Sequence, residues 1–192
     1  MTHVQALAWG VKACLLFCAL LLAGCAQKPS TPTRVVDFPL SAYQLIDQDG
    51  RDVHLAGTFP ADQPVVITFM FTTCKTDCPQ LAASFATLQS RLGSETGRVR
   101  LLAISLDPVQ DSPKAMKAFL AQFRAKEGWD FYTGSDAELR RLRHELMDRV
   151  PGEGPLMPIT FLRSPRDQRW IRIAGQRSSS EFMEICVKEG VL

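Results

Sequence analysis

The sequence predicts an α/β fold: a central mixed sheet, flanking helices and an added β-hairpin near the N-terminus. Three observations lead there. Two apolar runs of β-formers, residues 65–71 and 99–106, are continuous rather than alternating, as in strands buried on both faces. Each is followed by a 3.6-residue apolar pattern, the mark of a helix packed on a sheet. Short alternating segments, which read as hairpins, sit before the first run and near the C-terminus.

The first 25 residues differ from the rest. Lys12 precedes the apolar stretch Ala13–Ala23, which is short for a membrane span and ends in small residues, as a signal peptide does. Leu22-Ala23-Gly24-Cys25 resembles the bacterial lipobox, in which cleavage precedes a cysteine that is then lipidated. The expected division is a lipoprotein signal peptide over 1–24, lipidated Cys25 with a tether over 25–37, and one domain over 38–192. A tether follows from the Pro, Ser and Thr of residues 26–37. Export to the periplasm follows, with anchoring in the outer membrane rather than the inner, because Ala26 and not Asp follows Cys25.

The domain's elements follow in order. Tyr43, Leu45, Val53 and Leu55 alternate around Asp49-Gly50, a hairpin signal. His54 falls between the inward residues and belongs on the surface. Residues 57–64 read as a loop, and the run 65–71 as the central strand. Leu81, Phe85, Leu88 and Leu92 share one face of a helix starting at Pro79 and ending at Gly93. The second buried strand, 99–106, leads into Asp107 to Pro113, where Ser112 starts a helix with Met116, Phe119, Leu120 and Phe123 inward. Gly128 stops that helix. Trp129–Thr133 is a short strand. Ser135 and Glu138 form a capping box for a helix to about Asp148, with His144 on its solvated face. Residues 150–158 are a Gly- and Pro-rich loop. Ile159–Leu162 and Trp170–Ile173 pair as a hairpin, and Ser178 with Glu181 caps the last helix, where Cys186 faces the core.

A net charge of +2, without a basic stripe, argues against a nucleic-acid partner. Of the six cysteines, Cys14 and Cys18 leave with the signal and Cys25 carries lipid. Cys74, Cys78 and Cys186 remain, in an oxidising compartment where a close pair can persist as a disulfide. Cys74 and Cys78 stand three residues apart, between the central strand and a helix start, where open α/β sheets place their sites. A thiol pKa, about 8.5 in isolation, falls at a helix N-terminus, so Cys78, beside Pro79, is expected to have the lowered pKa. Two thiolates suit redox exchange or a soft ion such as Cu(I). Structural zinc requires four ligands, and no second pair or His cluster supplies them. Asp77 is read as a helix cap, with a pKa-raising or proton-transfer role as the alternative. Asp107 and Asp111 are read as turn and capping residues.

The segment Phe71-Thr-Thr-Cys-Lys-Thr-Asp-Cys-Pro79 resembles the Thr-x-Cys-x-x-x-Cys-Pro motif of the SCO/SenC family. Ile104-Ser-Leu-Asp-Pro-Val-Gln-Asp-Ser-Pro113 resembles that family's Ser-hydrophobic-Asp-Pro-x-x-Asp-Thr/Ser-Pro segment. The resemblance covers about residues 38–190. It implies a thioredoxin-like fold and delivery of copper to the Cu(A) centre of cytochrome oxidase, or thiol–disulfide chemistry preparing that centre. The implied partner is an oxidase subunit or another periplasmic thiol or copper protein. The family's third copper ligand, a His, maps to Leu156, or to Met157 with a slip of one. No His stands at either position. Met157 could supply a thioether to Cu(I); packing on the core is the alternative.

Met157-Pro158-Ile-Thr-Phe-Leu162 also resembles the strand start of thioredoxin-like reductases, in which a cis-Pro packs on the active disulfide. That would make Pro158 a supporting residue and the chain a thiol–disulfide oxidoreductase. The peroxiredoxin pattern Pro-x-x-x-Thr-x-x-Cys is missing. Three readings stay open: an SCO-like copper(I) and electron handler, a general periplasmic thiol–disulfide oxidoreductase without copper, and a binding protein whose Cys74–Cys78 disulfide is structural.

Overall fold

Among the described residues eight strands form one mixed sheet, in the spatial order β1 (Thr33–Val36), β8 (Trp170–Ala174), β7 (Ile159–Arg163), β4 (Val65–Met70), β5 (Arg100–Ser105), β6 (Trp129–Thr133), β2 (Gln44–Asp47) and β3 (Asp52–His54). The computed structural model describes residues 33–36, 43–60, 62–146 and 158–192. The expected signal peptide, Cys25, Leu156 and Met157 lie outside the described residues. Among the described residues no helix is long and apolar enough to cross a membrane.

The centre is β4 (Val65–Met70), buried throughout. It runs parallel to β5 (Arg100–Ser105), which runs parallel to β6 (Trp129–Thr133). On its other side β4 pairs antiparallel with β7 (Ile159–Arg163), and β7 pairs with β8 (Trp170–Ala174). The expected N-terminal hairpin is β2 (Gln44–Asp47) and β3 (Asp52–His54), joined antiparallel to β6 through β2. Asp47 Oδ1 accepts from the backbone N–H groups of Asp49 and Arg51, which closes its turn.

Period-two alternation along β4 and β5 sends side chains to two cores. Val66, Met70, Leu101 and Ala103 meet helices α1 (Asp77–Leu92), α2 (Pro113–Gln122) and α4 (Ser179–Lys188). Val65, Ile67, Phe69, Leu102 and Ile104 meet the hairpin and helix α3 (Asp136–Leu146). Leu81, Phe85 and Leu88 are buried, as their spacing requires. Phe85 packs edge-on against Trp129 and stacks on Phe182. The capping box at Ser178 and Glu181 is complete, and Cys186 is fully buried in the first core.

Three expectations need correction. Residues 33–36, assigned to the tether by composition, form strand β1 (Thr33–Val36), antiparallel to β8. Three of its four residues are β-branched, and the edge of β8 offers unpaired backbone groups to a segment of that kind. Helix α1 starts at Asp77 rather than Pro79, because Pro is tolerated throughout the first turn, whose N–H groups have no intrahelical acceptor. Gly128 does not stop α2, which ends at Gln122. Its φ of +91° and a closest approach of 2.8 Å between a Cβ built there and Thr96 O show why glycine is required.

Candidate functional site

The chain leaves β4 at Met70, whose carbonyl still accepts from Leu106 N–H, and turns at once. Cys74 N–H donates to Phe71 O at 3.2 Å and closes that turn. Thr73, Lys75 and Thr76 are exposed, whereas Cys74 and Cys78 are 8% and 5% exposed. Both thiols are free. Cys78 lies in the first turn of α1, and its backbone N–H donates to Cys74 Sγ at 3.4 Å. The Thr76 hydroxyl lies 3.8 Å from the same sulfur.

This arrangement reverses the expected order of the two thiols. Burial pushes the Cys74 pKa up, but hydrogen bonds from the Cys78 thiol and N–H and from Thr76 outweigh it, and the net shift is downward. Cys78 is pushed up to about 12 by burial first, then by Cys74 and Asp77. The helix N-terminus does stabilise a thiolate, as anticipated. The N–H of Cys78 in its first turn donates to the sulfur of Cys74, just outside the helix.

Asp77 is not the N-cap. Thr76 holds that position, without a side-chain cap bond, and Asp77 is the first helical residue. Its charge adds to the upward push on Cys78, the alternative anticipated for it. Asp107 makes the turn bond expected, accepting from Gln110 N–H at 3.3 Å. Asp111 does something else. It is fully buried and accepts from the N–H and hydroxyl of Thr72 and from the Ser105 hydroxyl. Thr72, Ser105 and Asp111 are the site residues that sequence reasoning missed. The sequence shows three polar residues at or beyond the ends of two buried runs, but not that the two strands lie side by side, which is what brings these residues together.

Pro158 is half-buried, and its carbonyl accepts from Gly175 N–H at 2.8 Å. The register of β4 with β7 pairs Thr68 with Thr160. Continued by two residues, it sets Pro158 beside Met70, where the cysteine loop departs. No cis peptide bond occurs among the described residues, and the residue preceding Pro158 is outside them. His54 is exposed on the edge strand β3, and His144 is exposed on α3, which packs on the sheet face opposite the cysteines. Neither joins the pair. Among the described residues no cluster of three or more His, Cys, Asp or Glu is placed to hold a metal.

Comparison with known proteins agrees with this geometry. The SCO1/SenC family model matches residues 35–149. An SCO1 protein homolog of Bacillus subtilis is 32% identical over 126 residues, which is 65% of this chain and 62% of that protein. The matched stretch thus spans less than two thirds of that relative's length. The structure of BsSco, described as a member of the Sco family of cytochrome c oxidase assembly proteins with a disulfide switch, superposes with a TM-score of 0.63. That match covers 83% of this chain and 97% of that one, at 23% identity. Arabidopsis thaliana ScoI with copper bound gives a TM-score of 0.61 over 77% and 94% of the two chains, at 20% identity. At such identities the structures establish the thioredoxin-like fold. With the family match over residues 35–149 and the Cys74–Cys78 pair at the end of β4, the chain belongs to the SCO1/SenC family.

Proposed function

We propose that this chain handles copper(I) and thiol–disulfide electrons through Cys74 and Cys78 during assembly of a cytochrome c oxidase. It does so as a lipid-anchored periplasmic protein. The observation that carries the reading is the pair itself: two free thiols at the end of the central strand, joined by the 3.4 Å contact from Cys78 N–H to Cys74 Sγ. A scaffold disulfide has no need of two thiols held at opposed pKa values.

Copper enters as cargo. Two thiolates form a soft donor set that suits Cu(I). Met157, next to Pro158, is the candidate third donor from this chain, and a partner's ligand can complete the site. The lipobox-like Leu22–Cys25 supports the anchor. A second reading, disulfide exchange without copper, is favoured by the absence of His at the family's position. In it the Cys74 thiolate attacks a partner disulfide and forms a mixed disulfide, releasing one partner thiolate. Cys78 then loses its proton and attacks Cys74, releasing the second. The partner gains two electrons and the pair ends as a disulfide.

Titrating reduced protein with Cu(I) against a competing chelator tests the copper reading. One equivalent binds, and Cys74→Ser abolishes it; binding unchanged in that variant overturns the reading. The reduction potential of the pair tests exchange. A value well below about −300 mV marks a structural bond.

A further inference from the structure

Asp111 is a fully buried carboxylate whose partners are three neutral donors rather than a cation. Its Oδ1 accepts from Thr72 N–H at 2.8 Å and from the Thr72 hydroxyl at 2.6 Å. Its Oδ2 accepts from the Ser105 hydroxyl at 2.6 Å. The segment carrying it is closed on itself, with Asp111 N–H donating to Asp107 O at 2.9 Å and Asp107 N–H to Ser105 Oγ at 3.0 Å. Ser105 ends β5 and pairs in register with Met70, the last residue of β4. One carboxylate therefore ties the end of β5 to the loop that leaves β4.

Thr72 stands two residues before Cys74, inside the turn closed by Cys74 N–H on Phe71 O. A fixed Thr72 fixes that turn, and with it the direction of Cys74 Sγ. We infer that Asp111 is a positioning residue for the cysteine pair: through Thr72 it holds the loop in the dithiol geometry, with Cys74 Sγ accepting from Cys78 N–H. The inference rests on the reading that the pair cycles between dithiol and disulfide. Closing the disulfide turns Cys74 Sγ away from the Cys78 amide and toward the Cys78 sulfur, and the clamp opposes the loop movement this needs.

All three donors converge on the two oxygens of Asp111, an acceptor set that a carboxylate completes. It accepts from three donors and offers none. An Asn keeps only one accepting oxygen and aims its NH2 at another of the three groups, so at least one of these bonds must be lost or turned round.

The test uses the full chain equilibrated with glutathione and glutathione disulfide. One glutathione disulfide oxidises the pair and leaves as two glutathione thiols, so the dithiol and disulfide fractions give the equilibrium constant. Asp111→Ala and Asp111→Asn shift that constant toward the disulfide by at least about tenfold, or about 30 mV. Thr72→Val, which keeps the backbone donor and loses the hydroxyl, shifts it the same way by about threefold. Hydrogen exchange at the Thr72 amide accelerates in Asp111→Ala while β4 and β5 stay protected. A lowered unfolding midpoint with the constant unchanged within about twofold would mean a purely structural role and overturn the inference. If Asp111→Ala does not fold, Thr72→Val decides by the same criterion. The wild-type constant alone tests the exchange reading, and the ratio of variant to wild type tests the clamp.

Discussion

The backbone N–H of Cys78 donates to Cys74 Sγ at 3.4 Å, so the two cysteines differ before any partner arrives. The sulfur that receives the helix-terminal N–H is favoured as thiolate, and the buried one inside the first turn is held as thiol. A pair divided in this way suits the exchange reading proposed above, with Cys74 as the attacking sulfur and Cys78 as the resolving one.

That division predicts selective labelling. The thiolate is the nucleophile, Cys74 is lowered, and Cys78 and Cys186 are pushed up to about 12, mainly by burial. A brief pulse of iodoacetamide at neutral pH should modify Cys74 at least about tenfold faster than either of the others. Peptide mass mapping of the reduced protein reads the ratio. Equal labelling of Cys74 and Cys78 would show that the asymmetry does not exist in solution.

Cys186 predicts the alkaline behaviour of the fold. Its pKa rises from 9.0 to about 12 because it is buried. Between those values the unfolded chain has released this proton and the folded chain still holds it. Stability therefore falls as pH rises through that window, by about 1.4 kcal/mol per pH unit for one such group. Below pH 9 the contribution is fully present. Cys186→Ala should be less stable at pH 7, from the lost sulfur, yet lose stability less steeply between pH 9 and 11 in urea titrations. Parallel slopes in the two proteins would assign the alkaline loss elsewhere, to Cys78 and Tyr132, which shift the same way.

Burial patterns carried most of the fold. The continuous runs that became β4 and β5 and the spacing of Leu81, Phe85 and Leu88 encode which side chains leave water, and burial decides those elements. The site was legible only as far as Cys74 and Cys78. Asp111 was not, because the same residue in the same turn can cap, stay solvated or clamp. The choice depends on β5 lying in parallel register beside β4, a relation absent from the local sequence. The order of the thiol pKa values was hidden for a similar reason: an uncertainty of two residues in the start of α1 decides which sulfur the first helical N–H groups can reach. Thr33–Val36 became a strand because β8 had an open edge, which composition cannot report.

Gly128 offers a sharp test of the packing around β6. A Cβ there would lie 2.8 Å from Thr96 O and 2.9 Å from Val99 O, both backbone atoms that cannot swing aside, at a φ of +91°. Gly128→Ala should cost about 1–3 kcal/mol, read from the urea midpoint. Gly57→Ala, where nothing lies within 4 Å, is the control and should stay within about 0.5 kcal/mol. A neutral Gly128→Ala would mean that the loop before β6 relaxes freely.

Under the copper reading proposed above, the donors that reach the pair decide which oxidation state of copper it can hold. Cu(II) binds nitrogen and oxygen donors, whereas Cu(I) accepts thiolate and thioether. The pair contributes sulfur alone, and His54 and His144 are exposed on elements away from it. Wild type should therefore bind Cu(II) weakly, without a thiolate-to-copper charge-transfer band. Leu156→His places an imidazole at the position to which the resemblance maps the family's ligand without a gap. It should raise Cu(II) affinity at least about tenfold, or 1.4 kcal/mol, and bring the band into the visible spectrum. Cys74→Ser in that background should abolish the band, which separates a three-ligand site from adventitious binding at the new His. If the band appears only with Met157→His, the register is one residue out of step with the expected one, and position 157 rather than 156 is the one that reaches the sulfurs. A strong band in wild type would show that a nitrogen donor already reaches the pair, and the missing His would then place no limit on the copper chemistry.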